Sequence, residues 1–519
     1  MTKPIIIAGA GPVGLMMALA CKTYGLDFVL LEEDDSFSSD TKAGTTLTRT
    51  IEALRRYGRD EAVLAQALRV DEIGELERAT NARRNSVQLD LLADQTRYPF
   101  ILNIPQHYLE PILAEGLDGP GCDVRLGHRV TGFTQDGDGV QVTAEGPDGP
   151  VTVDGSYMIA CDGGQSPTRT ALGVPVEGMT LDVKYMLIDV KVDLDRANPR
   201  DYPYLAYFSD PEEWMILIRQ PHCWRFLFPL QPGVETLEQV ELETKVRHFI
   251  GDVSDLEVLN TIVYRVHHRV ATQWRSDRVF LAGDAAHLIT PMWALGMNTG
   301  VLDSLNLPWR LAWVLRGWAD PALLDGYARE QHPLAAKGSG EMAEAARKLM
   351  GAEESATEIA ASSDWALAMT RSLLAVRLDV NGKGDWSIVC PGPAPIQAGS
   401  RMPDLPLFDG KGRRRYVHDL CDDSFVAFHF TDARSAPPLP ADDMPGLVSY
   451  VVSNWDAPLD SGLRPRSLLD IGSKLAKALG IGPDTIVLVR PDDHVAAILP
   501  MDGGSVRDAY AALMRGETL

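Results

Sequence analysis

The 519-residue sequence holds only six cysteines, Cys21, Cys122, Cys161, Cys223, Cys390 and Cys421, and no two stand in a C-x-x-C arrangement. In a chain this long that excludes a disulfide framework and a zinc site, so no metal is expected and a reducing cytoplasm is the expected location. Positive charge is also short: 49 Lys and Arg stand against 72 Asp and Glu, a net charge of −23. Such an acidic surface repels phosphate backbones and anionic lipid, which argues against nucleic acid and membrane as partners. No stretch reaches the ~18 unbroken apolar residues of a membrane span. The apolar segment from Pro4 to Ala20 has only Lys3 in front and is interrupted by Gly9, Gly11 and Gly14. A Gly-rich strand–turn–helix explains it better than a signal peptide. Low-complexity tracts and internal repeats are missing too. At 45% hydrophobic and 23% charged residues, the composition is that of a globular protein rather than a disordered one. The length implies two or three domains of ~100–200 residues each.

Ile5 to Ala8 is a short β-branched run that predicts a buried parallel strand. Helical spacing follows at Leu15, Met16, Leu19 and Ala20, then a second buried strand from Phe28 to Leu31, which completes a βαβ unit. Thr48 to Leu68 predicts a helix, residues 122–159 short strands with Gly-rich turns, and residues 180–230 an aromatic-rich antiparallel sheet. Arg278 to Ala282 is another buried strand, and helices are expected from there to about residue 376. Prolines 391, 393, 395, 403 and 406 mark a linker, beyond which strands and helices alternate again in a small α/β unit.

Three motifs carry chemistry. Gly9, Gly11, Pro12, Val13 and Gly14 form a G-x-G-x-x-G turn between strand and helix, and Glu32 closes the second strand. The first glycine permits the tight turn, the second lets a pyrophosphate approach the backbone, and the third lets helix and strand pack. The helix N-terminus favours the phosphates, and Glu32 can accept from ribose hydroxyls. The motif predicts a dinucleotide without separating FAD from NAD. The second motif, Asp162-Gly163-Gly164-Gln165-Ser166 with Arg169, follows a predicted strand from Tyr157 to Ala160. It suits either a polar turn beside a cofactor or an Asp capping the helix that starts at Pro167. In the third, Gly283-Asp284 ends a strand and Pro291, Gly296, Met297 and Asn298 lead into a helix. Asp284 can accept from polyol hydroxyls or close an Asx-turn. The helix N-terminus can face the flavin N1–C2=O edge, whereas His287 reads as packing or capping.

In this order and at these intervals, the motifs resemble those of the single-component, class A flavoprotein monooxygenases, typified by para-hydroxybenzoate hydroxylase and phenol hydroxylase. The resemblance covers about residues 1–340. It extends to Pro105-Gln106 with Glu110, to Asp303 and Asn306-Leu307, and to Leu324, Tyr327, Arg329-Glu330 and Pro333. It implies an α/β fold: a Rossmann-like FAD-binding domain of the GR2 type at residues 1–175 and 270–380, with an inserted antiparallel-sheet substrate domain at 176–269. A linker at 381–407 precedes a thioredoxin-like α/β domain at 408–519, indicated by Arg401-Met402-Pro403-Asp404 and by Val489 to Ala496. Without a C-x-x-C the tail is expected to be structural, serving a homodimer contact.

The implied activity is FAD-dependent, NAD(P)H-consuming hydroxylation of a phenolic or other small aromatic substrate with O2, through a flavin C4a-hydroperoxide that a dry site protects. NADPH or NADH would bind transiently, at Arg169 and Lys42. A Baeyer–Villiger or epoxidising monooxygenase on the same scaffold is the alternative, and a non-enzymatic flavoprotein a further one. A halogenase is disfavoured by the missing W-x-W-x-I-P. The sequence departs from the family in four places. Trp293 and Ala294 replace a Gly-Gly pair beside the flavin face. Glu33 stands where Arg is frequent, Lys42 replaces an Arg and its planar fork, and Pro308 is expected to interrupt and kink the third-motif helix. A phenolate must be favoured over the phenol, for which Tyr204, Tyr207, Arg219, His222 and Arg225 are candidates. Pro291 and Trp293 are candidates for the pocket wall. Each sheet residue has a competing reading as surface or core filling.

Overall fold

The computed structural model describes residues 3–37, 42–77, 83–194, 202–210, 214–230, 234, 239–251, 255–290, 292–343, 373–388, 395–432, 444–454, 466–502 and 504–519. Its centre is a six-stranded sheet in the order Arg275–Ser276, Val279–Leu281, Tyr157–Ala160, Ile5–Ala8, Phe28–Leu31, Cys122–Arg125. All neighbours are parallel except the hairpin at the Arg275 edge. Ile5–Ala8, Phe28–Leu31 and Tyr157–Ala160 are buried at every residue, as a parallel strand covered on both faces must be. Ile5 and Ile7 face the main core, while Ile6 and Ala8 meet Val140, Val142 and Ala144 of a three-stranded meander on the other side.

An eight-stranded sheet stands over the carboxyl ends of these strands. Its order is His287–Leu288, Glu257–Ala271, Val176–Lys191, Trp224–Pro229, Met215–Arg219, Leu205–Ser209, Glu72–Glu77, Arg83–Gln88. The last two strands lie outside the 176–269 segment expected to supply the sheet. Glu72–Glu77 pairs in parallel with Leu205–Ser209 and gives that strand's open edge a partner. Alternation splits the faces. Leu205, Tyr207, Trp214, Ile216, Leu227, Leu187 and Tyr185 join the core beneath, whereas Ala206, Phe208, Phe226 and Phe228 pack with Val246 and Phe249 of the helix Gln239–Ile250.

The helix expected from Thr48 to Leu68 is two, Thr48–Arg56 and Asp60–Gln66. Gly58, at φ +66°, breaks them apart in the left-handed conformation that commonly ends a helix. Pro308 does not interrupt the helix Leu295–Leu315. A proline removes the N–H that would bond the carbonyl four residues earlier; here that oxygen, on Ser304, accepts instead from the Tyr57 hydroxyl. Helical structure continues past Ser339, and residues 344–372 of the predicted helical region lie outside the described residues. So do residues 389–394 within the predicted linker.

The C-terminal unit is a mixed seven-stranded sheet centred on Phe425–Thr431, which pairs in parallel with Leu447–Ser453 and antiparallel with Thr485–Val489. Phe425 inserts edge-on between Trp309 and Trp313 of the long helix. Beside this apolar contact runs a buried chain of charges. Arg49 reaches Glu52 at 2.9 Å and Asp493 at 3.0 Å, Arg56 also pairs with Asp493, and Arg401 donates to Glu52. Further along, Glu330 accepts from Arg310 at 2.7 Å and from Arg490 at 2.8 Å. The Arg401 and Arg490–Asp493 positions that mark the tail in the sequence are therefore its docking contacts.

Candidate functional site

Four parallel strands end side by side and together deliver the three sequence motifs, Glu32 included, to the same edge of the sheet, where open α/β sheets bind ligands. Gly9, at φ +99°, lies so close to Cys161 that a Cβ would sit 2.4 Å from its carbonyl oxygen. At Gly14 a Cβ would fall 1.9 Å from the Gly9 oxygen. Gly11 differs: a Cβ there would meet no protein atom within 4 Å. Two glycines thus serve close packing, and the middle one borders open space at the N-terminus of the helix Pro12–Thr23, which no side chain caps. That cradle fits a pyrophosphate, held by backbone N–H groups and the helix dipole. Val13 packs against Gly283 and Gly300 and so joins the first motif to the third.

Glu32 caps the glycine loop, accepting from the Ala10 N–H at 2.5 Å and from the Asp34 N–H at 3.1 Å. Glu33 points to solvent. Asp162 accepts from the Ser166 hydroxyl at 2.5 Å and the Thr168 N–H at 3.0 Å, the helix-capping role. Arg169 donates to the Ala285 and Gly164 carbonyls, both at 2.8 Å, and ties the second motif to the third beside Gly163. Gly283 has its N–H bound at 2.8 Å by Asp303, which His287 fixes at 3.0 Å from beneath the Trp274 ring. This strut presents Asp284, whose side chain is exposed to the cleft yet crowded by protein. Desolvation raises its carboxyl above the ordinary value, against the pull of His287 and Lys42. An accessible carboxylate with no protein hydrogen-bond partner among the described residues suits a ligand rich in hydroxyls, such as a ribityl chain.

Other expected cofactor positions turn out to secure the loop from Lys42 to Leu47. Gln106 accepts from the Ala43 N–H at 3.3 Å and donates to Glu110 at 2.8 Å. The Asn298 amide is fully committed, accepting from Leu47 N–H and the Thr50 hydroxyl and donating to the Thr45 and Ala294 carbonyls. Gly296 and Met297 form the first turn of the long helix, which no side chain caps, and a Cβ on Gly296 would touch only the Ile289 oxygen at 3.6 Å. Lys42 is exposed. Pro291 lies outside the described residues.

The substrate candidates separate. Arg225 is buried in a two-pronged pair with Asp189, at 2.8 and 3.0 Å, and reaches the Lys42 carbonyl, so it braces the loop. Arg219 donates to the Gln220 carbonyl at 2.6 Å and lies over Trp224, whose other ring neighbour is Tyr204. His222 is exposed beside Tyr108. Tyr207 and Trp293 stack ring on ring, at 4.2 Å and 27°. They line a cavity of about 20 Å³ with Thr45, Leu47, Ile101 and Leu205. Burial holds the Tyr207 hydroxyl above its ordinary value, so it stays a neutral phenol. Trp293 was a candidate for the wall and Asp303 part of the motif pattern, but Thr45, Leu47, Ile101 and Leu205 in the wall and the Asp303 strut itself escaped sequence reasoning, because no local pattern signals either.

The chain is similar to proteins already known. The FAD binding domain family matches residues 2–339. The 12-dehydrotetracycline 5-monooxygenase/anhydrotetracycline 6-monooxygenase of Streptomyces rimosus is 29% identical over 446 residues, 80% of this chain and 84% of that protein. The 3-(3-hydroxy-phenyl)propionate/3-hydroxycinnamic acid hydroxylase of Klebsiella pneumoniae is 33% identical over 64% of this chain and 59% of that protein. Among solved structures, OxyS anhydrotetracycline hydroxylase from Streptomyces rimosus aligns over 100% of both chains with a TM-score of 0.74 at 25% identity. The flavin-dependent monooxygenase PieE shares the fold, with a TM-score of 0.81 over 99% of each chain at 22% identity.

Proposed function

The chain belongs to the FAD binding domain family and is an FAD-dependent aromatic monooxygenase like its relatives; we propose that it hydroxylates a phenolic ring held against the Tyr207–Trp293 wall. One observation carries the reading. The open space at Gly11 and the accessible Asp284 would give a dinucleotide a path along the sheet edge, and the aromatic cavity adjoins the first turn of the helix Leu295–Leu315, where that path would end.

Gly11 and the helix N-terminus at Pro12 would hold the pyrophosphate, Asp284 the ribityl hydroxyls, and the backbone at Gly296 and Met297 the ring edge. Bound FAD supplies the redox chemistry, taking reducing equivalents from NAD(P)H and using O2 to place one oxygen atom on the substrate. The protein's own part is positional. Leu47, Ile101, Leu205, Tyr207 and Trp293 exclude water, which would compete for a reactive oxygen species. The uncapped helix terminus favours negative charge on the ring edge. Lys42, exposed at the cleft, is the cation offered to NAD(P)H. The described cysteines are free thiols, which fits a reducing cytoplasm, and among the described residues no helix is long and apolar enough to cross a membrane.

The test is NAD(P)H oxidation by the purified protein across a panel of phenols, with product masses recorded. Substrate-stimulated oxidation with gain of one oxygen supports the reading, and fragmentation separates ring hydroxylation from Baeyer–Villiger insertion. A flavin-loaded protein that no phenol stimulates would overturn it.

A further inference from the structure

Trp293 and Ala294 sit at φ 60° and 56°, two successive left-handed residues without a glycine. That conformation crowds a residue that carries a Cβ, so something must hold them. The Asn298 amide binds the Ala294 carbonyl, and the Trp293 indole lies stacked on Tyr207, 7% exposed. A flat aromatic ring thus already occupies the face of Tyr207, and the remaining cavity, about 20 Å³, has room for about one water. No phenol enters without displacing the indole.

The wall around the stack offers an anion no positive charge. Its residues are Thr45, Leu47, Thr48, Ile73, Leu89, Ile101, Leu205, Tyr207, Trp293 and Ala294, all uncharged. The hydroxyl of Thr45 donates to Asn103 and that of Thr48 to the Phe100 carbonyl. Arg225, on the same face of the sheet, is held by Asp189. The charged residue beside Tyr207 in strand register is an acid, Glu75. A carboxylate buried here would keep its full desolvation penalty.

We propose that Trp293 is the specificity-determining residue of this site: it holds the substrate's place on Tyr207 and yields it to an uncharged planar aromatic, while carboxylated phenols are rejected. The inference rests on the hydroxylase reading and deepens it. The test is a titration of the oxidised holoenzyme with 2-naphthol and with 6-hydroxy-2-naphthoate, followed by flavin absorbance and by tryptophan fluorescence. 2-Naphthol should bind at least ~10-fold more tightly than the carboxylate. Trp293→Gly, which suits the left-handed backbone, should tighten 2-naphthol binding ~3–10-fold because no stack has to be broken. Trp293→Phe should fall between, and Tyr207→Leu should weaken binding. Weaker binding by Trp293→Gly and Trp293→Phe, or a preference for the carboxylate, overturns the proposal. NAD(P)H oxidation and product mass from the same samples judge the hydroxylase reading separately. Oxygen insertion with the reversed binding order sinks this inference alone, and the expected binding order without oxygen insertion sinks only that reading.

Discussion

The Tyr57 hydroxyl donates at 2.8 Å to the Ser304 carbonyl, the oxygen that Pro308 leaves without its helical donor. A side chain from a neighbouring helix thus completes the backbone of the helix whose first turn faces the cofactor cleft. Tyr57→Phe removes the donor and buries an unsatisfied carbonyl. The loss expected is about 1–3 kcal/mol, read as a lower denaturant midpoint with an unchanged slope. A variant as stable as the parent would mean that another group already serves this oxygen.

The glycines of the first motif separate folding from cofactor binding. Gly11→Ala adds a methyl that touches no protein atom, whereas in Gly14→Ala it collides with the Gly9 carbonyl. The first variant should purify as a folded, colourless protein and the second should fail to fold. Circular dichroism and flavin content distinguish them, and a yellow Gly11→Ala protein would remove the pyrophosphate from this cradle.

Asp284 is the exposed acceptor of the third motif. Asp284→Asn keeps its shape but gives up the charge that strengthens bonds from hydroxyls. FAD should then dissociate ~10-fold more readily, measured by equilibrium dialysis, with the melting temperature of the apoprotein within a degree or two of the parent. Unchanged FAD retention would assign the ribityl chain to other groups.

Asp493 serves Arg49 and Arg56 together, all three out of contact with water. Asp493→Asn leaves two guanidinium groups short of their counter-charge, and breaking a buried pair in this way costs about 3–5 kcal/mol. Urea unfolding should show that loss. The conservative Asp419→Asn, at a partly exposed bridge to Arg55 and Arg97, should cost ~1 kcal/mol or less.

The same charges set the response to acid. Burial alone would raise the Glu52 carboxyl, but Arg401, His418 and Arg49 outweigh it and hold it at about 2 instead of the ordinary 4.5. Arg310 and Arg490 do likewise for Glu330, also at about 2. A carboxyl whose pKa is lower in the folded state adds stability that is complete above the unfolded value and is lost as pH falls through the folded one. Stability should therefore drop steeply between pH 4.5 and 2. Unfolding midpoints across that range test this, and Glu52→Gln should flatten the slope.

What the sequence made legible follows from how local each signal is. The parallel strands, the three motifs and the order of the units were readable because apolar runs and glycine spacing act over a few residues. The roles inside the motifs were legible only in part. The helix-cap reading of Asp162 was one of two open ones, and the loop cap at Glu32 was not foreseen; both depend on which N–H groups the fold brings near. Arg225 looked available as a substrate anchor, since its partner Asp189 lies 36 positions away on another strand. Pro308 argued for a break because the hydroxyl that compensates at Ser304 comes from Tyr57, 247 positions before that serine. The pairing of Glu72–Glu77 with Leu205–Ser209 joins distant segments whose alternation each allows several neighbours. Tyr207 and Trp293 could each be suspected, but their stacking is a property of the folded chain alone.

The pair between Arg49 and Asp493 spans 444 positions. Synthesis at ~5–20 residues per second puts about 20–90 s between the emergence of the two. During that interval the helix Thr48–Arg56 carries Arg49, Glu52 and Arg56 without Arg401 and Asp493, the partners that the tail brings. A nascent chain can assemble its glycine loop and first strands early, yet it must keep this helix wet until residues 490–493 arrive. Full packing of this helix is thus timed by the tail, and the interval is one in which a chaperone that shields charged helices has something to hold.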